Sequence, residues 1–111
     1  MLKENAPVIE EVKYIPDWQQ QVSYGVNGPQ PNVLAVDDKV KVLMAGLAPG
    51  QSIPEHPEGA SVYHFLTGSG WMTVNGERLA VAAGTTIIMP AGSTRGLEAE
   101  THLAFLATRI A

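Results

Sequence analysis

A chain of 111 residues has room for one domain and not for two. Its 45% hydrophobic and 16% charged residues exclude a disordered chain, and a formal net charge of -4 without any cluster of Lys or Arg excludes nucleic acid and anionic membrane as partners. Cysteine is absent, which excludes disulfides and thiol catalysis and fits a reducing cytosol; with no apolar run of ~18 residues and no signal-peptide core, the chain reads as soluble and cytoplasmic.

In chain order, Met1 to Pro7 reads as a loose end. Val8 to Ile15 mixes apolar and charged residues and reads as an edge strand. Asp17 can cap one helical turn within Pro16 to Val22, although nothing there sustains a helix, and Trp18 reads as a core plug. Tyr24 to Pro31, with two glycines and two prolines, is a loop by composition; it is either a surface connection or a cover for a pocket mouth. Val33 to Val36 and Val40 to Leu47 read as two strands joined around Asp37-Asp38. The second alternates at first and becomes wholly apolar, as a strand entering a core does.

A Pro49-Gly50 turn leads into an extended stretch, in which His56 and Glu58 stand two apart. Residues two apart on a strand face the same way, so these two side chains can enter one cavity if Pro57 leaves the stretch extended. An alternating strand follows and ends at Gly68 and Gly70. Asn75-Gly76 supplies the positive φ angles of a type I′ turn and ties Trp71 to Val74 and Glu77 to Ala82 into a hairpin. Thr85 to Met89 is a short β-branched strand stopped by Pro90-Ala91-Gly92, and Thr101 to Ile110 alternates weakly and closes the sheet. Short strands with turns every eight to twelve residues, and no amphipathic helix, predict an all-β antiparallel sandwich or barrel. Residues 1–32 form an arm and loop in this reading, and residues 33–110 the barrel core.

Two stretches carry a family resemblance. In the first, Gly50 and His56 match a glycine, five residues and a histidine; Glu58 stands where a second histidine is expected, and Ser61 falls at the place of a glutamate, counted back from Gly68. In the second, Gly84, Pro90 and Gly92 match a glycine, five residues, proline, one residue and glycine; Arg95 stands at a histidine's place and Ala99 at an asparagine's. These stretches resemble the paired motifs of the cupins, over roughly the last two-thirds of the chain. The resemblance implies a small RmlC-like jelly roll, a double-stranded β-helix with an end-on pocket. It also implies pairing into a homodimer. An open sheet edge needs a cover, and Val8 to Ile15 is the candidate, within its own subunit or across to a partner. The usual metal site of the family, three histidines and a glutamate, is degenerate here.

The candidate ligand-binding residues are His56, Glu58, Tyr63, Met89 and Arg95. Tyr63, Phe65, Met89 and Leu97 alternate so as to line the barrel, and a buried Tyr63 hydroxyl needs a partner. His64 points outward if Ser61, Tyr63 and Phe65 point inward. Arg95 is a permanent cation that pairs either with Glu58 or with an anionic ligand. If a metal is present, its candidate ligands are His56, Glu58 and His102. No nucleophile constellation and no phosphate loop is visible. The expected function is a pocket that binds a small polar or acidic molecule without a full metal site and without a cofactor. The alternative, from the resemblance, is an enzyme using a divalent transition metal with an altered ligand set: a dioxygenase, isomerase or decarboxylase.

Overall fold

A computed structural model describes Ile9 and residues 11–110. The strands follow from alternation. In β5 (Ala60–Thr67) Ser61, Tyr63 and Phe65 are buried while Val62 and His64 are not. His64 turns outward, as the alternation predicts, and its Nδ1 meets Thr86 Oγ1 at 2.6 Å on the neighbouring strand. The hairpin of β6 (Ser69–Val74) and β7 (Glu77–Ala82) is closed by Asn75 at φ 51° and Gly76 at φ 83°. Both angles are left-handed, as the type I′ turn requires, and Gly76 adopts its angle without steric cost.

Two antiparallel sheets form a jelly-roll sandwich. The first has six strands in the order β1 (Ser23–Gly25), β2 (Gly28–Val36), β3 (Val40–Leu47), β10 (Leu103–Ile110), β5, β8 (Thr86–Met89). The second has four, in the order β4 (Ser52–Pro57), β9 (Thr94–Ala99), β6, β7. The core between them takes Leu43, Leu47, Phe65, Met72, Met89, Leu97, Leu103 and Phe105 from both sheets. Phe65, Leu47, Met72 and Leu103 are wholly buried, each stabilising the fold by about 1.5–3 kcal/mol relative to exposure. Among the described residues no helix is long and apolar enough to cross a membrane.

β3 is buried on both faces from Leu43 to Leu47. Its outer face is covered because Gly46 has no side chain: a Cβ there would stand 2.7 Å from the Tyr24 ring and 2.8 Å from Val22. That close approach brings the segment before β1 onto the sheet.

Three expectations need correction. Tyr24 to Pro31 is not a loop but the hairpin of β1 and β2, so β2 begins at Gly28 rather than Val33. Amides two apart on a strand point to the same side, so Pro29 and Pro31 forgo donors toward one neighbour only and the other ladder survives. Trp18 is half-buried and not a core plug, since it lies in a single 3-10 turn, Trp18–Gln21, outside the sandwich. That turn is capped as expected, with the Gln19 amide donating to Asp17 Oδ1 at 3.0 Å. Finally, the expected strand from Val8 to Ile15 is not formed over residues 11–15; Val12 and Tyr14 are 90% and 82% exposed, with no sheet edge holding them. Val8 and Glu10 lie outside the described residues, and the Ile9 amide donates to the Val36 carbonyl at 3.1 Å.

Candidate functional site

The site is assembled where β4 and β9 run antiparallel, with His56 opposite Arg95. Ser52 to Pro57 remains strand through its prolines because β4 is the edge of its sheet, where a missing donor is tolerated. The turn after β4 is locked to the turn before β9: the Gly92 amide donates to the Glu58 carbonyl at 2.9 Å, and the Glu58 amide to the Ser93 carbonyl at 3.3 Å. The two glycine-proline stretches of the sequence thus hold each other, and Glu58 is fixed between them.

The Glu58 side chain is 10% exposed and is surrounded by four groups, two in hydrogen bonds and two in ion pairs. His56 Nε2 lies 2.6 Å and Arg109 Nη2 2.9 Å from Oε2. Arg95 Nη1 and the Tyr63 hydroxyl each lie 3.4 Å from Oε1. Arg95 is 1% exposed and bound elsewhere too: Nη1 donates to Ser61 Oγ, and Nη2 donates to the Gly59 and Ser93 carbonyls at 3.2 and 3.1 Å. Ser61, at the place of a family glutamate, therefore holds the guanidinium. The Tyr63 ring stacks on Phe105 with centroids 5.2 Å apart, which fixes its hydroxyl toward Glu58.

The charges do not balance. Two guanidinium groups, which stay protonated, face one carboxylate. The Nε atoms of both Arg95 and Arg109 are buried and find no hydrogen-bond partner among the described residues. His56 adds to the surplus. Its Nδ1 lies 2.9 Å from the Pro54 carbonyl and its Nε2 faces Glu58, both acceptors, and only the imidazolium has a proton for each. The Pro54 carbonyl, and then the Glu58 carboxylate, accordingly hold His56 above the ordinary histidine value. Burial, and then the Glu58 charge, push the Tyr63 phenol up, so it remains a donor.

This cluster stands on the wall of a cavity of about 350 Å³ between the sheets. The rest of the wall is apolar: Leu43, Ala45, Ile53, Met72, Leu97 and Phe105, with Pro29 and Pro31 of the β1–β2 hairpin at its side. The stretch read as a loop thus does border the pocket. His56, Glu58, Tyr63 and Arg95 are brought together as expected. Met89 does not line the cavity; at 2% exposure it packs in the core, although the register sets it opposite Ser61 on β5. His102 is not with them either. It precedes β10, roughly 20 Å of strand from Arg109, and packs edge-on against Tyr24 at 4.7 Å beside a second cavity that Trp18 also lines.

Arg109 is the site residue that the sequence reading missed. The signal was the two-residue period of the last strand, which places Phe105, Ala107 and Arg109 on one face. The register then sets Arg109 opposite Ser61 on β5.

The residues do not fit a metal ion. Among the described residues no group of three or more His, Cys, Asp or Glu stands close enough to hold one. His56 and Glu58 offer two donors, and the Glu58 oxygens already face two guanidinium groups that oppose a further cation.

Comparison with known proteins agrees with this architecture. The family described as Cupin domain matches residues 43–108, more than half of the chain. No curated protein matches. Among solved structures, a conserved protein of unknown function from Streptococcus pyogenes is 28% identical, with 92% of this chain and 90% of that one covered and a TM-score of 0.78. A predicted oxalate decarboxylase from Thermotoga maritima is 25% identical, with 74% and 79% covered and a TM-score of 0.68. An uncharacterized conserved protein with a double-stranded beta-helix domain from Klebsiella pneumoniae is 20% identical, with 89% and 90% covered and a TM-score of 0.80, a likeness of fold alone.

Proposed function

The chain belongs to the cupin domain family, and on that scaffold we propose that it binds a small carboxylate-bearing molecule in the cavity between its sheets, without a metal. The observation that carries this reading is the positive charge left uncompensated among the described residues: two guanidinium groups share one carboxylate, and both Nε atoms are buried and find no partner there. A buried donor left without an acceptor costs about 1–3 kcal/mol, which an incoming carboxylate recovers.

Arg109, and not Arg95, is the anchor. Arg95 is held by Ser61, Gly59 and Ser93, and it stabilises the frame. Arg109 pairs with Glu58 and lies beside the Tyr63 hydroxyl, no backbone carbonyl among the described residues holds it, and its side chain is 36% exposed, so a ligand can reach it. His56 adds charge when protonated, and Tyr63 adds a hydroxyl. The Thermotoga maritima structure of 25% identity is described as a predicted oxalate decarboxylase; oxalate carries two carboxylates, so this likeness bears on the carboxylate head alone.

A thermal-shift screen of small anions against their neutral amides tests the reading. Carboxylates are expected to raise the melting temperature while the amides do not. Equal response to both, or to neither, contradicts it.

A further inference from the structure

We infer that the ligand is a monocarboxylate with a plain hydrocarbon body, aliphatic or aryl, rather than a dicarboxylate, a sugar acid or a phosphate ester. The inference rests on the anion-binding reading above and specifies its substrate class.

The charge count limits the head group. Two guanidinium groups against Glu58 leave one surplus positive charge in the buried cluster, which one carboxylate cancels; protonated His56 adds a second, on a ring that is 41% exposed and screened by solvent. Once His56 is neutral, a second negative charge would stand near Glu58 with no further cation among the described residues to meet it, and like charges in a partly buried site repel strongly.

The wall limits the body. Beyond the polar cluster, Leu43, Ala45, Ile53, Met72, Leu97 and Phe105 offer no side-chain donor or acceptor other than a thioether. Their backbone groups lie in the plane of the sheets, and all but those of Ile53, on the edge strand β4, face a neighbouring strand on both sides. A hydroxyl or second carboxylate placed there loses its water and gains no partner. A methylene placed there gains: each one buried raises affinity about fourfold. The volume of about 350 Å³ lies at the small end of ligand pockets, ~300–1,000 Å³, which limits the body to a short chain or a single ring.

The test is calorimetry on the full chain with the sodium salts of acetate, butanoate, hexanoate and benzoate, against succinate, gluconate and inorganic phosphate. Affinity is expected to rise about fourfold per methylene from acetate to butanoate, with hexanoate and benzoate tighter than all three polar anions. If anions bind but succinate, gluconate or phosphate matches hexanoate, this inference is overturned and the anion-binding reading stands. If no anion binds, both are overturned. A Glu58→Gln variant adds a second readout. With one more surplus positive charge, its preference should move toward succinate relative to butanoate. An unchanged ratio contradicts the charge count. If that variant does not fold, the wild-type series decides the question alone.

Discussion

Arg109 Nη2 stands 2.9 Å from Glu58 Oε2, tying the last strand of one sheet to the turn that follows the edge strand of the other. Glu58 is nearly buried and also faces Arg95, whose side chain is 2% exposed. The stability of this end of the sandwich therefore depends on one carboxylate.

Glu58→Ala leaves Arg95 buried without a counter-charge. It is expected to cost about 3–5 kcal/mol, the usual penalty for removing one partner of a buried ion pair. The contribution of Arg109 is smaller, because that side chain reaches solvent. Urea unfolding measures the loss. Adding Arg95→Ala to Glu58→Ala should restore much of it, and a double variant less stable than either single one would refute the pairing.

The His56 position predicts a pH dependence of stability. Its folded-state value is raised above 6.5, first by the Pro54 carbonyl and then by Glu58. The charged form is therefore bound more tightly by the folded chain. That stabilisation is full below pH ~6.5 and is lost as pH rises through the raised value. The ring is 41% exposed, so solvent screening holds the effect below about 1 kcal/mol. Melting temperature followed from pH 5.5 to 8.5 should fall in this window, and His56→Gln should flatten that fall. A wild-type curve rising through the window would contradict the assigned hydrogen bonds.

Gly76→Val should destabilise the β6–β7 hairpin. Gly76 sits at φ 83°, a conformation that costs an L-residue about 1–2 kcal/mol and a β-branched one more. A loss of about 4 °C or more in melting temperature is expected. An unchanged value would mean that the turn does not need its left-handed pair.

Elemental analysis of the purified protein should find no stoichiometric transition metal, because His56 and Glu58 supply too few lone pairs and two guanidinium groups flank them. One tightly held metal per chain would require Glu58 to leave both arginines.

Local signals decided what could be read from the sequence. Asn75-Gly76 fixed its own hairpin, since the turn residues carry the dihedral angles. His56 and Glu58 met as their spacing required, and Arg95 came to them through the second motif. Pairings between distant strands were not legible. Arg109 enters the site only through the register of β10 on β5, and that last strand alternates weakly. Met89 had the inward parity expected of it and stands opposite Ser61, yet it is packed into the core, and parity alone cannot distinguish core from pocket. Composition misled at Tyr24 to Pro31, where glycine and proline marked a loop while the edge of a sheet accommodated them as strand.

The central claim is that the Arg109 guanidinium anchors a ligand's carboxylate. Calorimetry of butanoate with the wild type and with Arg109→Gln tests it most directly, because glutamine keeps a polar side chain and removes the charge. The account predicts that the variant remains folded and loses about 2 kcal/mol or more of binding, roughly 30-fold in Kd. Equal affinity in the two proteins would contradict it.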